Sequence, residues 1–150
     1  FTAYEFYEEL FPNSGEKIFL EEYDEFDSHL TPDEIDLFQS LEDLRSRVYQ
    51  AIESERQKGA IRNALDAEIE ITLKKDAYNS LKELSQEIHK FFIASKCTLV
   101  EGKSEKIKIK ASANEKCSRC WHREEKLNSD GICVRCEDNI NGDGETRSFF

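Results

Sequence analysis

Ile35, Phe38, Leu41, Leu44, Val48 and Ile52 recur at steps of three or four residues and draw one apolar stripe along a long helix. Thr31-Pro32-Asp33-Glu34 opens that helix: Thr31 suits the cap, Pro32 the first turn, and Glu34 completes a capping box. Gly59 closes it. The period then changes. Ala67, Ile69, Ile71 and Leu73 alternate with Asp66, Glu68, Glu70 and Thr72, which predicts a strand with one buried face. Tyr78, Leu81, Leu84, Ile88 and Phe92 return to helical spacing and predict a second helix. A strand over 97–100, a turn at Glu101-Gly102-Lys103-Ser104 and an alternating stretch over 106–110 follow. A strand–helix–strand unit makes its two strands parallel, and a hairpin is expected to add the third. Both helices then cover one face of a small sheet.

Before this unit the pattern is weaker. Phe1, Tyr4, Leu10 and Phe11 suggest the end of an amphipathic helix, stopped by Pro12-Asn13-Ser14-Gly15. Residues 16–30 alternate acids with Ile18, Phe19, Leu20, Tyr23 and Phe26 without a helical period, and read as an extended segment. After residues 111–115 the apolar pattern gives way to cysteines. The expected fold class is α+β: helical segments with a three-stranded sheet in the order α-β-α-β-β, followed by a four-cysteine zinc knuckle.

The cysteines carry the chemistry. Cys117 and Cys120 form one Cys-x-x-Cys pair, Cys133 and Cys136 another, with twelve residues between them. Each pair brings two thiolates to one cation from a single turn, and two pairs fill a tetrahedral zinc site. Four thiolates leave no open position, so the predicted ion is structural. It replaces an apolar core that so short a segment lacks. The competing reading, two disulfides, suits a secreted chain, and no secretory leader is visible. His122 is a weaker candidate ligand, because the thiolates already complete the site. Cys97, the fifth cysteine, falls in a predicted strand and reads as a small buried apolar residue.

The knuckle carries Arg119, Trp121, His122, Arg123, Lys126 and Arg135. An aromatic among cations can stack on an unpaired base while the cations meet phosphate. Equally, Trp121 can pack inward with the arginines merely solvated. Lys106, Lys108 and Lys110 share one face of a strand, either a solubilising edge or a phosphate-contacting stripe. No nucleophile–base set, phosphate-cradling glycine loop or open-site metal motif appears.

Composition limits the partners. The 150 residues carry a net charge of −11. Residues 1–43 hold 14 acids against one base, residues 44–110 hold 14 bases against 10 acids, and the remainder is near balance. The acidity is therefore an N-terminal property, and a local basic face remains able to bind phosphate weakly and with strong salt dependence. No apolar run reaches 18 residues, so no membrane partner is expected. With no secretory leader and with reduced cysteines, the cytoplasm is the expected compartment. The absence of Met and the helix-like start at Phe1 suggest a chain that begins inside a longer protein.

Three blocks together resemble one family. Lys116-Cys117-Ser118-Arg119-Cys120-Trp121-His122, Gly131-Ile132-Cys133-Val134-Arg135-Cys136, and Asn141-Gly142-Asp143-Gly144-Glu145-Thr146-Arg147-Ser148-Phe149 are similar to the C-terminal region of bacterial-type isoleucyl-tRNA synthetases. Upstream, a long helix followed by Ala64-Leu65-Asp66-Ala67-Glu68-Ile69-Glu70-Ile71 resembles that family's junction segment. The resemblance implies three parts: residues 1–30 as the end of a helical anticodon-binding domain, 31–112 as a junction domain, and 113–150 as a zinc-binding domain. It implies Cys117, Cys120, Cys133 and Cys136 as ligands of one structural zinc ion. It implies Arg119 and Trp121 as contacts to the anticodon loop, and Arg123 and Arg135 stand beside them as candidate tRNA contacts. The parent enzyme would charge isoleucine tRNA using ATP bound elsewhere. Its catalytic motifs, of the His-Ile-Gly-His and Lys-Met-Ser-Lys-Ser types, are absent here, so the segment would dock the anticodon end of tRNA rather than catalyse. Its partners would be that tRNA and the rest of the synthetase. Two other readings compete: the zinc-finger tail of a DNA glycosylase, which Trp121 and the Gly-Asp-Gly-Glu run fit poorly, and a zinc-stabilised protein-interaction module, which the acidity would suit.

Overall fold

A computed structural model describes residues 2–13, 18–20 and 29–149. The chain forms two compact units that divide after Pro32. In the first, helix α1 (Thr2–Leu10) buries none of its residues. Its aromatic residues pair locally: Tyr4 stacks on Phe19 with ring centroids 6.1 Å apart, and Tyr7 lies 5.1 Å from Phe11. The extended reading of residues 16–30 falls mostly outside the described residues. Within it, Ile18–Leu20 form a single 3-10 turn, not extended chain.

The second unit is the α+β body. Helix α2 (Pro32–Gln57) buries Leu41, Leu44, Val48 and Ile52, the inner part of the predicted stripe. Ile35 and Phe38, near its start, stay exposed. Strand β1 (Ala67–Leu73) alternates buried and half-buried positions along its whole length, with Ala67, Ile69, Ile71 and Leu73 at most 2% exposed. Strands β2 (Lys96–Glu101) and β3 (Lys106–Ala111) flank it. The inner face of the sheet meets α2 and the segment between β1 and β2 in one core that includes Leu81, Leu84, Ile88, Phe92 and Cys97. Each fully buried Leu, Ile or Phe of this kind contributes about 1.5–3 kcal/mol. Tyr49 of α2 donates its hydroxyl to the Phe92 carbonyl across that core.

Two expectations need correction. The second helix is not continuous. It runs as α3 (Lys75–Leu81), a 3-10 turn over Lys82–Leu84, and one turn of helix α4 (Ile88–Phe91). Steps of three residues suit the tighter 3-10 winding as well as the α form, so the break leaves the apolar residues facing inward. The third strand also does not add by a hairpin. The sheet order is β2-β1-β3, with β2 parallel and β3 antiparallel to β1. β1 has the most apolar inner face and takes the centre, whereas Ile107 and Ile109 of β3 are only half-buried at the edge. The β2–β3 connection therefore crosses the end of β1. Gly102 makes the crossing close: its N–H donates to the Leu73 carbonyl, and a Cβ there would lie 2.4 Å from Thr72 Cγ2.

The outer face of the sheet is polar. Lys110 pairs with Glu68 at 2.9 Å, and Lys108 pairs with Glu70. Two of the three lysines in the stripe are thus matched by β1 carboxylates.

Candidate metal centre and nucleic-acid interface

The chain leaves β3 through Ser112–Asn114 and enters a short hairpin of β4 (Glu115–Lys116) and β5 (Arg123–Glu124). The first cysteine pair occupies the turn between them. Trp121 donates its N–H to the Cys117 carbonyl at 3.0 Å, and Cys117 donates to the His122 carbonyl at 2.9 Å. The second pair follows a turn organised by Asn128, whose side-chain oxygen accepts from the N–H groups of Asp130 and Ile132. Cys133 then stands at the start of helix α5 (Val134–Asn141), which carries Cys136 in its first turn. Ser118 N–H and hydroxyl both donate to the Gly131 carbonyl and join the two turns.

This folding brings the four sulfurs within 4.8 Å of one another. Cys117 Sγ lies 3.8 Å from Cys136 Sγ, and Cys120 Sγ lies 3.7 Å from Cys133 Sγ. A tetrahedron of zinc–sulfur bonds of about 2.3 Å has edges of about 3.8 Å, so the donor set and its spacing fit a tetrathiolate ion. A disulfide requires about 2.05 Å, which both pairs exceed. Cys117, Cys133 and Cys136 are at most 2% exposed, so the site is closed. The sulfurs differ in acidity. Burial opposes the Cys117 thiolate, but N–H groups of Cys120, Cys133 and Arg119 outweigh it and bring the thiol down to about 6. Burial pushes Cys133 up to about 12 and raises Cys120. Such a set holds protons that a metal ion must displace.

The side chains proposed to meet RNA separate into two groups. Trp121 is 57% exposed and sits in the left-handed region at φ 69°. Lys116 Nζ lies 4.9 Å from its ring centroid. Arg119 is exposed on the same turn. The inward-packed alternative for the indole is therefore not what the fold adopts. Arg123 and Arg135 are turned inward. Arg123 Nε and Nη2 both donate to Asp66 Oδ1, at 2.9 and 2.6 Å. Arg135 lies against the cysteines, its guanidinium facing the Cys120 sulfur and 3.4 Å from His122 Nδ1. His122 packs edge-on to His89 with ring centroids 6.4 Å apart and lies outside the four-sulfur cluster. Lys126 is exposed.

Several supporting residues were not among the expected site residues. Ser95 Oγ accepts the Arg123 N–H and donates to the Leu65 carbonyl, joining finger to sheet. Glu145 lies 2.7 Å from Lys90, 3.0 Å from Arg147 and 4.0 Å from Arg135. The run Gly142-Asp143-Gly144-Glu145 thus returns the chain across the finger. Gly144 has φ +87°, and a Cβ there would meet Asn139 Oδ1 at 3.1 Å, the atom that accepts the Glu145 N–H. A groove of about 1140 Å³ lies between the finger and the α4–β2 segment, lined by charges of both signs, Lys90, Lys96 and Lys126 against Glu124, Glu125 and Asp138.

No helix among the described residues is long and apolar enough to cross a membrane. No protein-family model matches the chain. Curated relatives do. The isoleucine–tRNA ligase of Legionella pneumophila (strain Lens) is 32% identical over 167 residues, covering 100% of this chain and 18% of the ligase. That of Mannheimia succiniciproducens is 33% identical and covers 99% of the chain and 17% of the ligase. That of Laribacter hongkongensis is 36% identical over 113 residues, covering 73% of the chain and 12% of the ligase. The chain spans less than a fifth of the length of these relatives. With relatives 32% and 33% identical over 100% and 99% of its length, the chain belongs to the bacterial isoleucine–tRNA ligase family, in keeping with a C-terminal region of that enzyme.

Proposed function

We propose that this region docks the anticodon end of isoleucine tRNA, so that the rest of the synthetase can charge it using ATP bound elsewhere, in the cytoplasm. One structural zinc ion on Cys117, Cys120, Cys133 and Cys136 stiffens the finger. Residues 1–30 continue a helical anticodon-binding domain, 31–112 form the junction, and 113–150 form the zinc-binding part. Arg119 and Trp121 make the contacts, while Arg123 and Arg135 hold the surface that presents them. The observation that carries this reading is the exposure of Trp121, at 57%, on the turn that also bears Arg119 and two of the four thiols. A half-open indole beside a guanidinium offers a face to an unpaired base and a charge to its phosphate.

The chain has one Trp, so its fluorescence reports on this turn alone. Titration with isoleucine tRNA is expected to quench it, and a changed anticodon to abolish the response. Binding by this acidic region is expected to be weak and to fall steeply with salt. Absence of any nucleic-acid response would reject the proposal in favour of a protein-docking module. Quenching by abasic duplex DNA alone would instead indicate a glycosylase-type finger.

A further inference from the structure

A dication held by four thiolates leaves two net negative charges in a nearly closed site. Cys117, Cys136 and Cys133 are 0, 1 and 2% exposed, so water supplies little compensation. A buried charge of this kind calls for a positioned counter-charge. Arg135 is the cation built into the second Cys-x-x-Cys turn itself, its side chain 25% exposed. Its guanidinium faces the Cys120 sulfur and reaches toward His122 Nδ1 at 3.4 Å. A flexible arginine needs something to hold it there. Glu145 is placed to do so, with Oε1 4.0 Å from Arg135 Nη1.

Glu145 is fixed in its turn. Its N–H donates to Asn139 Oδ1 at 2.9 Å, anchoring it to α5. The same carboxylate pairs at 2.7 Å with Lys90 of α4, and both side chains are 13% exposed. Beyond it, the N–H groups of Ser148 and Phe149 donate to the Glu87 carboxylate at 2.9 and 3.0 Å. Residues 144–149 therefore form a strap from the metal-bearing turns to the α4 segment of the α/β body.

We propose that Glu145 is a positioning residue for the cysteine tetrad, acting through Arg135, and that metal binding and docking of the 144–149 strap reinforce each other. The inference rests on the reading of the four cysteines as a metal site. Coupling of this sort is reciprocal: if the strap strengthens the metal site, metal must strengthen the strap.

The test uses the full chain, with zinc affinity measured by competition against a chromophoric chelator. The unmutated chain should take up one ion; if it takes up none, the metal reading itself fails. Glu145→Gln and Arg135→Gln are each expected to weaken zinc binding about tenfold, the usual scale for partners of metal ligands. Arg135→Lys should recover part of the loss. Arg147→Gln, which touches Glu145 from the exposed side, should change affinity less than twofold. The double variant Glu145→Gln/Arg135→Gln should be no worse than Arg135→Gln alone, and additive losses would overturn the route through Arg135. Cobalt substitution should show a shifted sulfur-to-cobalt charge-transfer band in both single variants. Amide exchange at Ser148 and Phe149 should speed up on removal of zinc. Zinc affinities within twofold of the unmutated chain, with unchanged exchange at those amides, would overturn the proposal while leaving the metal site standing. Far-UV circular dichroism matching that of the unmutated chain shows each variant to be folded.

Discussion

Arg123 and Asp66, 57 positions apart, form an ionic joint between the finger and the sheet. Both Nε and Nη2 of Arg123 converge on Asp66 Oδ1, and Nη1 lies 3.4 Å from the Asn114 carbonyl. Their side chains are 29% and 13% exposed. Asp66 stands at the end of a 3-10 turn where the chain enters β1, and Arg123 begins β5. The joint therefore links the central strand of the core to the hairpin that carries the first cysteine pair. Its position favours a finger held at a fixed angle to the α/β body.

That joint makes stability depend on acid. Burial opposes the Asp66 charge, but Arg123 and the N–H groups of Arg62 and Asn63 outweigh it and hold the carboxyl below its ordinary range. A carboxyl depressed in the folded state adds stability above its unfolded pKa of about 4 and loses it as pH falls through the lower folded value. Asp66→Asn is expected to lower unfolding free energy at pH 7 by about 1–2 kcal/mol. The gap between the variant and the unmutated chain should close as pH falls below about 4. Urea unfolding at pH 7 and pH 3 checks this. A gap equally wide at both would show that Asp66 acts through packing rather than charge.

The five cysteines should separate by reactivity. Burial pushes the Cys97 thiol up to about 12, and only 8% of the residue is exposed, within the core. The other four share one site in a segment too short for an apolar core of its own, so their burial depends on the bound ion. With a chelator present, folded protein should expose four thiols to a disulfide-exchange reagent and keep the fifth silent until unfolding. With zinc present, all five should react slowly. Five equally fast thiols in chelated protein would mean that the α/β core opens with the finger.

Cys120→Ser removes one donor from the tetrad. It is expected to release the metal and loosen residues 113–149, while the core around Ile71 and Phe92 stays folded on its own apolar contacts. Far-UV circular dichroism should retain the signal of α2, and amide exchange should rise in the finger alone. Loss of the whole helical signal would show instead that finger and body fold as one cooperative unit, with the Arg123–Asp66 joint too strong to separate.

What the sequence made legible and what it did not follow the range of each interaction. The stripe of α2 and the alternation of β1 are local patterns, and both elements form where those patterns lie. The two Cys-x-x-Cys turns are local as well, and their spacing already implies that one ion can be shared. The place of β3 beside β1 was not legible, because pairing depends on which strand wins the centre of the sheet. The helix break at Lys82–Leu84 was hidden by apolar steps that suit both windings. Arg123 and Arg135 look like displayed cations in the sequence. Only the fold brings Asp66 to the first and the Cys120 sulfur to the second. Glu145 stood in the sequence only as part of the tail block that carries the resemblance; its contacts were hidden, since its partners Lys90 and Arg135 lie on different elements.

Trp121 gives the sharpest test of the interface. Its backbone lies in the left-handed region that a bulky residue rarely adopts, and the hydrogen bond from its N–H to Cys117 helps hold it there. One ring face is approached by Lys116. A base would then stack on the opposite face, with Lys116 and Arg119 near its phosphates. Replacing an aromatic platform of this kind costs about 1–3 kcal/mol per stacked base. Trp121→Ala in the parent synthetase should therefore weaken tRNA charging by roughly five- to 150-fold, the rate equivalent of that energy, and leave amino-acid activation untouched. Because the side chain points outward, the same variant should bind zinc as the unmutated chain does. Unchanged charging kinetics would remove Trp121 from the RNA contact, and impaired zinc binding would reassign it to holding the cysteine turn.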